Sequence, residues 1–311
     1  MKRTTRVLRG TILVATAFTV VIFLSGCAEL AGVTSGLADL GLVDSDVAEA
    51  AQVAGAAGEF ISAVNETFTP EQQYYVGRSV AAVVLSQYAP YQNEAARLYV
   101  NELGQALALA SPQPFIFHGY TVMILDSDEI NAFATPGGHI FLSRGIVRLA
   151  ESEDDLAAIL AHEISHVVLQ HGMKTIKSSR ISSSAVQLLA TSADALTDNE
   201  IAQLAVAFSG TIDDMTQTLI TNGYSRATER EADESAVRLL AAVGYDPNGL
   251  VRVLTRMSAA LDPDGHDFAA THPDPQMRIR WVQDTIDDEG LSGGSDQRVT
   301  QPRFESAVGN I

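Results

Sequence analysis

The run from Asp155 to His171 reads DLAAILAHEISHVVLQH, and residues 162–166 within it are His-Glu-Ile-Ser-His. Its apolar residues recur at helical spacing. Ser152-Glu153-Asp154-Asp155, just before it, resembles a capping box, with acids favoured at a helix N-terminus. One helical turn separates His162 from His166, so both face the same way and can grip a single metal ion. Glu163 stands beside them, within reach of a metal-bound water. Two core histidines bonded to backbone groups are the competing reading. Against it, a bare carboxylate in so apolar a segment is costly without a function.

A catalytic zinc held by two histidines needs a third protein ligand and an open position. Cys27 is the only cysteine, so that ligand comes from His, Asp or Glu. The best candidate lies 63 residues beyond His166, where the segment from Tyr224 to Asp233 reads as a helix carrying Glu229 and Asp233 one turn apart. Glu229 is placed to bind the metal, and Asp233 to accept a hydrogen bond from a ligand imidazole and fix its tautomer. Glu231 and Glu234 lie there too, so alone the segment reads as a solvated acidic face. The upstream His-Glu-x-x-His reverses that.

The first residues carry Lys2, Arg3, Arg6 and Arg9, then an apolar stretch from Ile12 to Leu24, then Leu24-Ser25-Gly26-Cys27. That is the pattern of an export signal, with an apolar core shorter than the roughly 20 residues of a spanning helix. The last four residues resemble a bacterial lipobox, implying cleavage before Cys27 and lipidation of its thiol; an uncleaved anchor or a simple signal peptide is the plainer alternative. Losing the four basic residues of 1–26 takes the formal charge from −18 to −22. Such a surface argues against nucleic acid and against electrostatic docking on anionic lipid, leaving the lipid at Cys27 to hold the chain at a membrane.

Four segments follow: a lipoprotein signal (1–26), a lipidated tether rich in small residues (27–69), one domain (70–290) and a polar, flexible tail (291–311). Within the domain, helical spacing is expected from Glu71 to Pro90, Asn93 to Leu109, Ser225 to Val243, Pro247 to Ala260 and Pro275 to Asp287. Short apolar segments at Phe115–Phe117, Tyr120–Leu125 and His139–Leu142 read as strands of a small sheet. The Ser/Thr/Ala-rich stretch 172–222 reads either as a mobile lid or as an ordinary helical hairpin. The class is α+β, mainly helical.

Taken together, these motifs resemble peptidase family M48. They are the His162–His166 motif, Ser225-Arg226-x-x-Glu229-x-Glu231-Ala232-Asp233, and Thr271-His272-Pro273-x-Pro275-x-x-Arg278. The segment Asn131 to Phe141 is similar to the strand-turn-strand beside that family's cleft. The match runs over about residues 70–287 in matching order. Within the family of HtpX and CAAX prenyl protease-like gluzincins, it is most similar to periplasmic lipoprotein or envelope proteases of the LoiP and BepA kind. The resemblance implies a zincin-like domain with one zinc ion per chain, held by His162, His166 and Glu229. It implies Glu163 as catalytic base and Asp233 as support for a ligand, with His272 and Arg278 either capping the metal or stabilising the transition state. For His272 a plain turn residue before proline is the competing reading, and Tyr224 is a third candidate for steadying the oxyanion. The strand at His139, Ile140 and Phe141 is expected to pair with an extended substrate. The function implied is a zinc endopeptidase degrading misfolded or damaged outer-membrane and periplasmic proteins. An envelope assembly factor with secondary peptidase activity is the alternative. Ala28, rather than Asp, after Cys27 favours the outer membrane facing the periplasm.

Overall fold

In a computed structural model of the chain, residues 68–178, 216–219, 223–260, 272 and 275–311 are described. The expected signal, Cys27, nearly all of the tether and most of the stretch 172–222 lie outside the described residues. No helix among those described is long and apolar enough to cross a membrane.

Helix α1 (Pro70–Gln87) starts in a reciprocal capping box. The Gln72 amide donates to Thr69 Oγ1 at 3.2 Å, and Gln72 Oε1 accepts from the Thr69 amide at 2.8 Å. Helix α2 (Glu94–Ala110) is capped by Asn93, and Ser111-Pro112 ends it. Strands β1 (Thr121–Leu125), β2 (Ala132–Ala134) and β3 (His139–Ser143) form one sheet in the order β1-β3-β2. β1 runs parallel to β3, and β2 antiparallel to it. The Pro136-Gly137-Gly138 turn of this hairpin lies on α1, where Gly77 makes room: a Cβ there would sit 1.6 Å from the Pro136 carbonyl oxygen.

Two strand expectations are corrected here. Phe115–Phe117 is not a strand. The prolines at 112 and 114 have no N–H to donate, and His118 and Gly119 take positive φ (62° and 73°) as Gly119 N–H closes a turn on the Ile116 carbonyl. The second concerns His139, Ile140 and Phe141, which lie on the central strand. Their backbone groups are taken by β1 on one side and β2 on the other, so they offer no edge to a substrate. Among the described residues the edge on the catalytic side is β2, which packs on the helix carrying the two histidines.

Ser143 ends β3 and caps the unforeseen short helix α3 (Arg144–Leu149). Helix α4 (Glu153–Val168) begins at Ser152, whose hydroxyl accepts from the Asp155 amide. It is apolar around most of its circumference because α2, β2, α6 (Arg226–Val243) and α7 (Asn248–Ala260) enclose it. Leu156, Leu160 and Ile164 are fully buried, each worth about 1.5–3 kcal/mol against exposure. After α4, Gln170 takes positive φ (56°) and the chain turns into α5 (His171–Ser178), which opens the stretch expected as a lid or hairpin. α8 (Pro275–Glu289) packs against α6 and α7.

The flexible tail is also corrected. Residues 297–308 form helix α9 (Gln297–Val308), whose Phe304 and Val308 join the core beside α2 and α4.

Candidate metal centre

His162 and His166 leave α4 with their Nε2 atoms 3.1 Å apart. α6 brings Glu229, whose two oxygens each lie 3.5 Å from one of those nitrogens. His272, just before α8, points Nδ1 at Glu229 Oε2 (2.9 Å) and at His162 Nε2 (3.4 Å). One donor atom from each of the four residues falls within 4.8 Å of all the others, and every side chain is buried. The three expected ligands therefore meet, and His272 completes the group.

Donor and acceptor bookkeeping shows what this arrangement requires. His162 Nδ1 lies 3.0 Å from Asp233 Oδ1, so its hydrogen belongs there and Nε2 is bare. His272 Nε2 lies 3.2 Å from the Ala132 carbonyl oxygen on β2, so that nitrogen donates and Nδ1 is bare. Glu229 contributes a carboxylate. Bare acceptors turned on one another need a cation between them, and two imidazoles with a carboxylate are a donor set suited to zinc.

Glu163 is the anomaly. Both its oxygens are buried with no hydrogen-bond partner among the described residues, and His272 Nε2 stands 4.0 Å off. Burial pushes its pKa above the usual 4.5. Burial also drives His166 well below its ordinary value. Burial and Arg278 disfavour His162 as a cation, yet the bonds to Asp233 and Glu229 carry it up to about 9, so a proton takes the place on Nε2 that an ion would otherwise hold.

Arg278 is buried and forks onto Asp233, with Nε to Oδ2 at 2.9 Å and Nη2 to Oδ1 at 2.7 Å; its Nη1 reaches Glu229 at 3.2 Å. Burial raises the pKa of Glu229, but His272 and Arg278 beside it hold it well below 4.5. The ring of Tyr224 stacks on His166 at 4.5 Å, and burial raises its phenol.

Sequence reasoning missed His171. Its Nδ1 sits 2.9 Å from His166 Nδ1 and its Nε2 3.3 Å from Glu231 Oε2. Burial lowers its pKa to about 4. The available signal was a third histidine five residues past the motif in a chain with only seven.

Known proteins resemble this chain in sequence. Residues 94–286 match the family model described as Peptidase family M48. The mitochondrial metalloendopeptidase OMA1 of Schizosaccharomyces pombe is 34% identical over 158 residues, covering 50% of this chain and 43% of that protein. The beta-barrel assembly-enhancing protease of Escherichia coli K12 is 29% identical over 186 residues, covering 58% and 37%. The OMA1 metalloendopeptidase of Bos taurus is 26% identical over 171 residues, covering 54% and 32%. The chain thus spans less than half the length of these relatives. The family match covers well over half of the chain, from α2 to α8, and includes every residue of the buried cluster: the chain belongs to peptidase family M48.

Proposed function

We propose that the chain is a zinc-dependent endopeptidase of the bacterial cell envelope, acting on misfolded or damaged outer-membrane and periplasmic proteins. The observation that carries the peptidase reading is Glu163: a buried carboxylate with no hydrogen-bond partner among the described residues, one residue from a converging His-His-Glu donor set. His162, His166 and Glu229 would hold the ion, with Asp233 orienting His162. When bound, zinc polarises the scissile carbonyl and makes water acidic enough to give up a proton near neutral pH. Glu163 takes that proton as the water oxygen adds to the carbonyl carbon. It then delivers the proton to the amide nitrogen as the C–N bond breaks. The substrate pairs with the side of β2 that has no strand partner among the described residues, once His272 gives up the Ala132 carbonyl. His272 holds the Ala132 carbonyl on that same edge and fills the fourth donor position, which reads as a resting form that yields to substrate.

Export and a lipid anchor at Cys27 rest on the basic start, the apolar stretch and Leu24-Ser25-Gly26-Cys27. The envelope substrate class rests on that export pattern; the name of the E. coli relative, a beta-barrel assembly-enhancing protease, supports the second reading, an assembly factor with peptidase activity secondary. The test is Glu163→Gln: zinc content stays at the wild-type level while cleavage of unfolded casein is lost. Retained cleavage sinks the peptidase reading. An inactive variant that still complements a deletion strain favours the assembly factor. His272→Ala raises cleavage or metal exchange if His272 is a cap, whereas lost activity assigns it to the transition state.

A further inference from the structure

We propose that His171 is a positioning residue for the metal ligand His166. Glu231, His171 and His166 form a directed hydrogen-bond chain that keeps Nε2 of His166 bare and aimed at the ion. The inference rests on the reading of His162, His166 and Glu229 as metal ligands.

The two Nδ1 atoms of His166 and His171 stand 2.9 Å apart between buried rings. That gap holds one hydrogen, so one ring donates and the other accepts. If His171 donated, neutral His166 would carry its hydrogen on Nε2, pointing it into the donor cluster where a ligand needs a lone pair. His171 would also turn a bare Nε2 toward the Glu231 carboxylate, 3.3 Å away. The reverse orientation satisfies every atom. His166 Nδ1–H donates to His171 Nδ1, and His171 Nε2–H donates to Glu231 Oε2. The carboxylate at the far end thus selects the ligand-competent tautomer of His166, two rings away.

The backbone makes the contact possible. Five residues along an unbroken helix would carry His171 about 140° around the axis from His166. The left-handed residue Gln170 breaks α4 and starts α5 at His171, returning its ring to His166. α6 meanwhile supplies acids at alternate positions: Glu229 in the donor set, Asp233 on His162 directly, and Glu231 on His166 through His171. Tyr224 stacks on the His166 ring at 17° and sets its plane. His162 has its carboxylate at first hand; His166 has one at second hand.

The experiment measures zinc affinity by chelator competition on the full chain, with the visible spectrum of the cobalt-substituted protein as a second readout. His171→Leu cannot accept from His166, and a roughly 10–100-fold loss of zinc affinity with an altered cobalt spectrum is expected. His171→Asn offers an amide oxygen in place of Nδ1, and its affinity and spectrum should return close to wild type. If both variants bind zinc like wild type, or both lose equally, the positioning role is overturned. Imidazole nitrogen-15 spectra of the wild-type zinc protein test the tautomers with no substitution and decide the matter if His171→Leu does not fold. The hydrogens are expected on His166 Nδ1 and His171 Nε2, and one found on His171 Nδ1 overturns the chain. A wild-type protein that takes up no zinc overturns the ligand reading itself, a separate outcome from tight binding that ignores His171.

Discussion

Helix α4 buries charged side chains at both ends, and the two ends treat them in opposite ways. At the start, Glu153 accepts from Tyr99 (2.8 Å) and Tyr245 (2.7 Å) and pairs with Arg303. Asp154 accepts from the amides of Asp246 and Ser295, the Ser295 hydroxyl and the Gln297 side chain. Asp155 holds Arg252 and Arg256. Each carboxylate there is saturated. Three turns on, Glu163 is as deeply buried and, among the described residues, has no hydrogen-bond partner, only His272 Nε2 at 4.0 Å. Burial of charge alone therefore does not mark a functional residue; burial without partners does, because the desolvation penalty then goes uncompensated. The saturated end is structure, and the unsatisfied end is chemistry.

The largest expected effect breaks this comparison if it fails. Glu163→Gln should lower cleavage roughly 10²–10⁴-fold, the span of general acid-base contributions, while the melting temperature holds or rises. Glu153→Gln should do the reverse, lowering the melting temperature and leaving cleavage by the remaining folded protein intact. Equal destabilisation by both would show that Glu163 is a structural acid.

Next in size is Arg278, which joins the site to the fold. It neutralises Asp233 and Glu229 from a position with no solvent access. Arg278→Met leaves buried carboxylates uncompensated and should cost about 3–5 kcal/mol in chemical denaturation of the metal-free protein. A cost under about 1 kcal/mol would mean the pair behaves like a surface one. Somewhat smaller is Phe304→Ala, at about 3 kcal/mol. Phe304 anchors α9, the segment that delivers Arg303 and Gln297, so hydrogen exchange should quicken at the start of α4 and not at His162–His166.

How much of this could be read in advance follows the range of the information. His162, Glu163 and His166 were legible because helical periodicity alone decides that they share a face. Glu229 and Asp233 repeat that logic on α6. The order of the sheet was not legible. His139–Phe141 reads as a good strand, but whether a strand is central or edge depends on which partners fold onto it. α9 was missed for a similar reason. Gly and Ser at 290–295 read as a frayed end, yet Ser295 exists to hydrogen-bond Asp154, 141 residues earlier. His171 lies past the break at Gln170, where reasoning by helix face stops.

The smallest expected effect separates the two ends by pH. Burial pushes the Glu153 carboxyl up, but the bonds from Arg303, Tyr245 and Tyr99 outweigh it and hold the folded pKa below 4.5. A depressed folded pKa means the unfolded chain binds the proton more readily. The stabilisation from Glu153 is therefore complete above about pH 4.5 and is lost as pH falls through the folded value. Arg303 is half exposed, so its share is discounted to roughly 1 kcal/mol or less. Arg303→Met should lower the urea midpoint slightly at pH 7 and flatten its decline below pH 4.5, because less stabilisation remains to be titrated away. Parallel acid profiles for variant and wild type would mean that the two tyrosines alone hold Glu153 ionised. The saturated end of α4 would then owe its stability to neutral donors and not to charge.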